Sequence, residues 1–403
     1  MISVEEAVAR IRAALEPLPI ERIALGEALG RVLAEDLTAE RMQPPLAVSA
    51  MDGYALRAAD IAVVPATLVV IGESRAGQSF EGEVGTGQAV RIFTGAALPK
   101  GADIVIIQEV TKMANGSVIV NENARNRHFV RSAGLDFQKG DVLLKAGLRL
   151  TPRALGLAAA MNRAHLRVRR KPRIAVLSTG DELVEPGSAL ASTQNVNSNA
   201  YTLAALIQSL GGEATDLGIA RDSRESLLTL VAKAKEADLL VTSGGASVGD
   251  HDLVRSALGE EGLELAFSGV AARPGKPTFF GHLKGTPMLG LPGNPVSVAV
   301  GGLIYLRPAI EALLGMHPAG APRETARLAV ALEANGPREA YLSATSEWAA
   351  DGARLVTPFS EQDSSMLAQT VRADCLVIRR PYAASAEAGE TIEILRFDGP
   401  GCG

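Results

Sequence analysis

Residues 243–252 of this 403-residue chain read SGGASVGDHD. They follow the apolar run ADLLV at 237–241 and precede a segment from Asp252 that suits a short helix. A strand that enters a glycine-rich turn and then a helix start presents backbone N–H groups and the positive end of a helix dipole to an anion. Gly244, Gly245 and Gly249 let the backbone turn sharply and approach a ligand closely, and Ser247 adds a hydroxyl. Asp250 and Asp252 set carboxylates beside that turn, as Mg²⁺–phosphate chemistry requires. A purely structural βα loop with an aspartate capping its helix would read the same way. The weight therefore rests on the company this stretch keeps.

Four other polar loops offer matching groups. They are STGDE at 178–182, the Arg221-Asp222 pair, RPGKP at 273–277 and PGNPVS at 292–297. With the first loop they supply the carboxylates Asp181, Glu182, Asp222, Asp250 and Asp252 and the cations Arg273 and Lys276. Hydroxyls come from Ser178, Thr179, Ser247 and Ser297, and backbone turns from Gly180, Pro292 and Pro295. Carboxylates with Mg²⁺ beside a cationic loop suit phosphoryl or oxyanion chemistry. Taken singly, Glu182 reads equally as a solvated helix-start charge and Lys276 as a surface lysine. His128, His165, His251, His282 and His317 stand in dissimilar contexts, so neither a histidine metal site nor a Ser-His-Asp or Cys-His pairing is indicated.

A βα alternation from 173 to about 314 would position these loops. It predicts a doubly wound parallel sheet whose polar loops fall at the carboxyl ends of strands, the edge where such folds bind ligands. Ser3 and Glu6 have capping-box spacing ahead of Ala7, Ile11, Ala14 and Leu15, so the chain opens with an amphipathic helix. Residues 22–37 read as a short strand and a helix. Asp52-Gly53 is a turn signal. Short apolar runs from 66 to 120 predict a compact β domain. Thr151-Pro152 starts another helix, expected to pack with the first because the β domain looks inserted between them. After a linker at 317–322 the pattern returns to β, giving a small C-terminal barrel or sandwich with a disordered tail at 399–403. The expected division is 1–45 with 137–172, then 46–136, 173–318 and 319–403.

Composition narrows the classes. A formal net charge of −5 argues against nucleic-acid binding by bulk charge, and HLRVRRKPR at 165–173 reads as a solvated domain edge. Cys375 and Cys402 are too few for a disulfide framework, which fits a reducing cytosol. No stretch reads as long and apolar enough to cross a membrane, and Glu5 and Glu6 are wrong for a secretory signal. A cytoplasmic protein is expected.

The motifs SAMDGYAL, RIFTGAALPKGADIVIIQE, LSTGDELVEPG, NSNAYTLAALI, TSGGASVGDHD, RPGKPTFFG and LGLPGNPVSV, in this order, resemble the MoeA family, the molybdopterin molybdenumtransferases related to the gephyrin E domain. The resemblance covers most of the chain. It implies four subdomains in an elongated homodimer whose cleft is shared between subunits. It further implies Mg²⁺-dependent insertion of molybdate into adenylylated molybdopterin with release of AMP, downstream of a molybdopterin adenylyltransferase. By motif position Asp222 and Asp252 look like the acidic residues tied to Mg²⁺ and hydrolysis, with Glu182 in the same cleft. Arg273, Lys276, Ser297 and Ser364 look like the oxyanion pocket. Asp52, Thr94 and Asp136 look like contributions to the partner subunit's cleft. The chain departs from the family pattern at Arg273, where lysine is usual, at Ser343, where an arginine usually stands, and at Asp374, where asparagine is common. Arg338 on the same hairpin is a candidate to replace the missing charge. A pterin-binding carrier without insertase activity, favoured by Ser343 and Asp374, and an adenylyltransferase acting on molybdopterin are the competing readings.

Overall fold

The structure is a computed structural model that describes residues 1–122, 129–245, 253–317 and 323–397. Ser247, Gly249, Asp250 and Asp252, most of the linker and the C-terminal tail lie outside the described residues.

The central unit is a six-stranded sheet of β1 (Arg173–Thr179), β2 (Glu213–Ala220), β3 (Leu239–Ser243), β4 (Leu263–Ser268), β5 (Phe279–Leu283) and β6 (Thr286–Leu291), in the order β2-β1-β3-β6-β5-β4. The first four neighbours run parallel, while β5 is antiparallel to both β6 and β4. Strand periodicity sorts the side chains between two cores. Ile174, Val176, Leu239, Val241, Leu289 and Leu291 meet helices Ser198–Ser209 and Pro295–Gly301 on one face. Ala175, Leu177, Leu240 and Met288 meet Leu227, Val254 and Leu258 on the other. Helices on both faces leave the carboxyl edge of the parallel strands open, as the βα alternation predicts.

The opening helix forms at Val4–Ala13, with Ser3 Oγ accepting the Glu6 N–H at 3.1 Å. Its apolar stripe, Ala7 and Ile11, packs into the central core. It does not join helix Pro152–Ala160, whose Ala154 and Ala158 pack with Leu33, Leu37 and Leu166. The expected helix within 22–37 is also absent beyond one short turn at Leu25–Glu27. Strand Ile20–Ala24 pairs with His165–Arg169. The chain after it is pulled flat by the Leu33 N–H to Leu148 O and Ala34 N–H to Arg167 O bonds. The basic run is thus a strand, anchored where Arg170 grips Asp238 at 2.6 and 3.0 Å.

A curled sheet, ordered Ile104–Ile107, Gly53–Leu56, Gln88–Ile92, Ala66–Ser74, Ser117–Val120 and Thr111–Ala114, forms the inserted unit. Gly53 is not a turn here. It sits inside a central strand, opposite Ile92 on one side and Ile107 on the other. At the C-terminal end, strands Arg323–Leu328, Glu339–Trp348, Arg354–Pro358, Cys375–Arg379 and Thr391–Arg396 close into a barrel, because Glu339–Trp348 pairs with both Arg354–Pro358 and Cys375–Arg379.

One helical run, Pro295–Leu313, does have the length and apolarity of a membrane span, contrary to the sequence reading. Its burial explains its composition: 94% of it lies inside the protein.

A Cβ at Gly53 would lie 1.9 Å from the Ile106 carbonyl oxygen, so the strands must separate to admit one. Gly53→Ala is expected to destabilise the insert by about 3 kcal/mol. Hydrogen exchange should accelerate in Gly53–Leu56, Gln88–Ile92 and Ile104–Ile107 and stay unchanged in β1. Unchanged exchange in all of them would mean that the sheet absorbs the methyl group.

Candidate functional site

Three strands deliver their loops to one place. β1 ends in Ser178-Thr179, β3 in Ser243-Gly244, and β6 leads into Pro292-Gly293-Asn294-Pro295. Gly244 has φ +95°, and a Cβ there would lie 2.5 Å from the Thr179 carbonyl oxygen, so this crossing of two strand ends needs a glycine.

Asparagines fasten the loops together. Asn199 Nδ2 donates to Ser243 Oγ at 2.9 Å and to the Gly293 carbonyl at 2.7 Å. The Ser178 hydroxyl donates to Asn197 Oδ1 at 2.9 Å. Asp181 is spent on structure, since its Oδ1 accepts the Asp222 N–H at 3.0 Å while its carbonyl accepts from Arg221 at 2.9 Å. That leaves the carboxylates of Glu182 and Asp222 on the wall of a cavity of about 690 Å³, with Thr179, Gly180, Gly244 and Gly245. Pro292 and Pro295 border the same cavity, whereas Ser178 is fully buried beneath it.

A second cavity, of about 350 Å³, shares Pro277, Pro292 and Asn294 with the first. Arg273, Lys276, Ser297 and Ser364 line it, as the sequence suggested, and so does Arg338. The RPGKP loop reaches it because Ala272–Arg273 adds to the barrel strand, Arg273 opposite Ala340. Across the cavity, Asn294 Nδ2 donates to Ser364 Oγ at 2.6 Å. Neither Arg273 nor Lys276 has an ion-pair partner among the described residues, and Arg338 makes one long bond, 3.5 Å, to the Ala272 carbonyl. Asp363, the one carboxylate on the wall among the described residues, is held below its ordinary pKa by the Ser365 hydroxyl and N–H, which occupy its Oδ1 at 2.6 and 2.8 Å. Among the described residues, three cations against one ionised carboxylate leave the cavity positive, which suits an oxyanion.

Ser343 does not line this cavity. It is buried in its strand, where its N–H donates to Gln362 Oε1 at 2.9 Å. Asp374 lies off both cavities and accepts from Ser346 Oγ at 2.7 Å. Arg338, a few residues before Ser343 in the chain, does line the smaller cavity.

Asp52, Thr94 and Asp136 line neither cavity of their own chain. Asp52 Oδ1 accepts the Thr94 N–H at 2.7 Å and the Thr94 hydroxyl at 2.8 Å, and these bonds hold its carboxyl below the usual range. Asp136 is fixed through its own N–H to the Gln43 carbonyl at 2.9 Å. Sequence reasoning missed Asn197, Asn199 and Asn294. The run NVNSN at 195–199, ahead of an apolar helix, was the available signal for the first two.

No group of three or more metal-ligating side chains occurs among the described residues. Mg²⁺ needs only one or two carboxylates when phosphate oxygens and waters complete its shell, so Asp222 on the wall of the larger cavity suits such an ion.

The fold is that of a multidomain α/β protein whose sheet-edge loops line two adjoining polar cavities. The profile of the MoeA N-terminal region (domain I and II) matches residues 2–162. A probable molybdopterin binding domain matches 175–312, and the MoeA C-terminal region (domain IV) matches 325–397. The chain is 36% identical to a Haemophilus influenzae protein named molybdopterin molybdenumtransferase, covering 99% of each. It is 34% identical to a Bacillus subtilis protein of the same name, covering 98% of this chain and 94% of that one. A solved structure of the molybdopterin biosynthesis MoeA protein of Pyrococcus horikoshii superposes with a TM-score of 0.84 at 33% identity, over 99% of this chain and 100% of that one. The chain belongs to the MoeA family.

Thr94→Val keeps the N–H donor to Asp52 and removes the hydroxyl donor. The depressed pKa of Asp52 contributes stability above its unfolded value, lost as pH falls through the folded one. In the variant that pKa should rise toward the ordinary carboxylate value, so the acid-side loss begins at higher pH. A carbon-detected NMR titration of Asp52 checks this. An unmoved midpoint would show the hydroxyl to be irrelevant.

Proposed function

We propose that this MoeA-family chain is a molybdopterin molybdenumtransferase of molybdenum cofactor biosynthesis, inserting molybdate into adenylylated molybdopterin with release of AMP. The observation that carries the reading is the shared wall: a glycine-lined cleft bearing carboxylates and a cationic cavity meet at Pro277, Pro292 and Asn294. Relatives 34% and 36% identical carry the transferase name.

In this reading the turn at Gly244-Gly245 and Thr179 hold phosphoryl oxygens in the larger cavity. Arg273, Lys276 and Arg338 hold the molybdate dianion next door, with the Ser297 and Ser364 hydroxyls orienting its oxygens. Asp222, with Asp252 by its place in the motif, holds Mg²⁺. When bound, that ion neutralises charge and polarises a phosphoryl oxygen. Glu182 is the base placed to take a proton from the attacking water. The Pro292–Asn294 turn keeps the two oxyanions apart until the pterin bridges the cavities. Asp52, Thr94 and Asp136 act from the insert of a second subunit, so the working form is a homodimer. A molybdopterin adenylyltransferase supplies the substrate, in the cytoplasm.

The test is AMP release from adenylylated molybdopterin by purified protein and Mg²⁺, with and without molybdate. Molybdate should stimulate release and yield active cofactor. Tight pterin binding without stimulated release would overturn the insertase and leave a carrier.

A further inference from the structure

Asn197 is 1% exposed and lies on the wall of the larger cavity. Its side-chain oxygen is committed. The Ser178 hydroxyl donates to Oδ1 at 2.9 Å, and the Ala200 N–H points at the same atom at 3.5 Å, capping helix Ser198–Ser209. A backbone N–H needs an acceptor, so the cap fixes which end of the amide is oxygen. The other end, Nδ2, is buried and has no hydrogen-bond partner. A native fold rarely leaves such a donor unsatisfied except where function uses it.

Two further observations converge on the same spot. The helix that Asn197 caps is 12 residues long, and Ser198 and Asn199 in its first turn also line the cavity. A helix start of that length places unpaired N–H groups and positive potential there. The turn NVNSN at 195–199 carries no charge that would repel an anion. Thr179 Oγ1, on the same cavity, is a second buried polar atom without a partner. Asn199, by contrast, already spends its amide on Ser243 and Gly293.

We propose that Asn197 Nδ2 and the N-terminus of helix Ser198–Ser209 seat a phosphoryl group of the substrate. This assignment rests on the function proposed above and adds a binding residue to it. The amide recognises phosphate oxygens as acceptors only; a neutral donor in their place would leave Nδ2 unpaired. Two phosphates have this chemistry, the adenylyl phosphate and the phosphate on the pterin side chain.

Asn197→Asp keeps the helix cap and reverses the ligand-facing chemistry. Aspartate is as good a helix cap and still accepts from Ser178 and Ala200, but it puts an anionic oxygen where the donor stood. Calorimetric titration of the folded variant with adenylylated molybdopterin and with AMP should show affinity reduced roughly tenfold to a hundredfold, the fold being checked by circular dichroism. Loss for both ligands assigns the amide to the adenylyl phosphate. Loss for the pterin compound alone assigns it to the pterin phosphate. Equal affinity of wild type and variant overturns the inference and leaves the proposed function standing. A wild-type protein that fails to bind adenylylated molybdopterin overturns that function, and the assignment with it. Should the aspartate variant not fold, Asn197→Ser, which also caps and is too short to reach the ligand, is expected to show the same loss.

Discussion

Everything chemical in this structure depends on how the turn Pro292-Gly293-Asn294-Pro295 is held. Asn199 grips its Gly293 carbonyl from one helix start, and Asn294 reaches from it to Ser364 beside the barrel. Each bond is worth only about 1 kcal/mol net, but they act at one short segment that both cavities use as a wall. Val296 adds a backbone bond to the Ser364 carbonyl at 3.0 Å. The apolar helix that follows is sunk in the central core, so the turn cannot drift without disturbing the sheet beneath it.

Around that turn the molecule divides its labour. Stability comes from the two cores of the central sheet and from the closed barrel, where apolar side chains alternate across the strands. The site instead carries unmet polar demand. Thr179 Oγ1 and Asn197 Nδ2 are buried without partners on the wall of the larger cavity, each at a penalty of about 1–3 kcal/mol. Arg273, Lys276 and Arg338 repel one another across a small cavity until an anion joins them. Both features favour an anion in the cleft, which is the physical sense in which it is preorganised.

The sequence made the frame legible because its signals were periodic or local. The apolar run at 174–177, the Ser3 and Thr151 caps and the glycine-rich strand ends all identified elements correctly. What stayed hidden depended on tertiary pairing. Residues 28–36 have helical composition yet are drawn into bonds with 148–150 and 167. Gly53 looked like a turn because the sequence cannot show a carbonyl oxygen 1.9 Å from its missing Cβ. Arg338 gains its place because Ala272–Arg273 adds to the barrel edge, a pairing between residues far apart in the chain. Asparagine signals weakly in sequence, since its usual work is in turns, and so the clamps Asn199 and Asn294 passed unremarked.

The central claim is that two different oxyanions occupy two adjoining cavities divided by one turn. Anomalous diffraction at the molybdenum edge, from crystals of the protein holding both molybdate and AMP, tests it most directly. The account predicts a molybdenum peak among Arg273, Lys276 and Arg338, with AMP phosphate on the far side of Pro292 and Asn294. A molybdenum peak in the glycine-lined cleft, or none among those three cations, would contradict it.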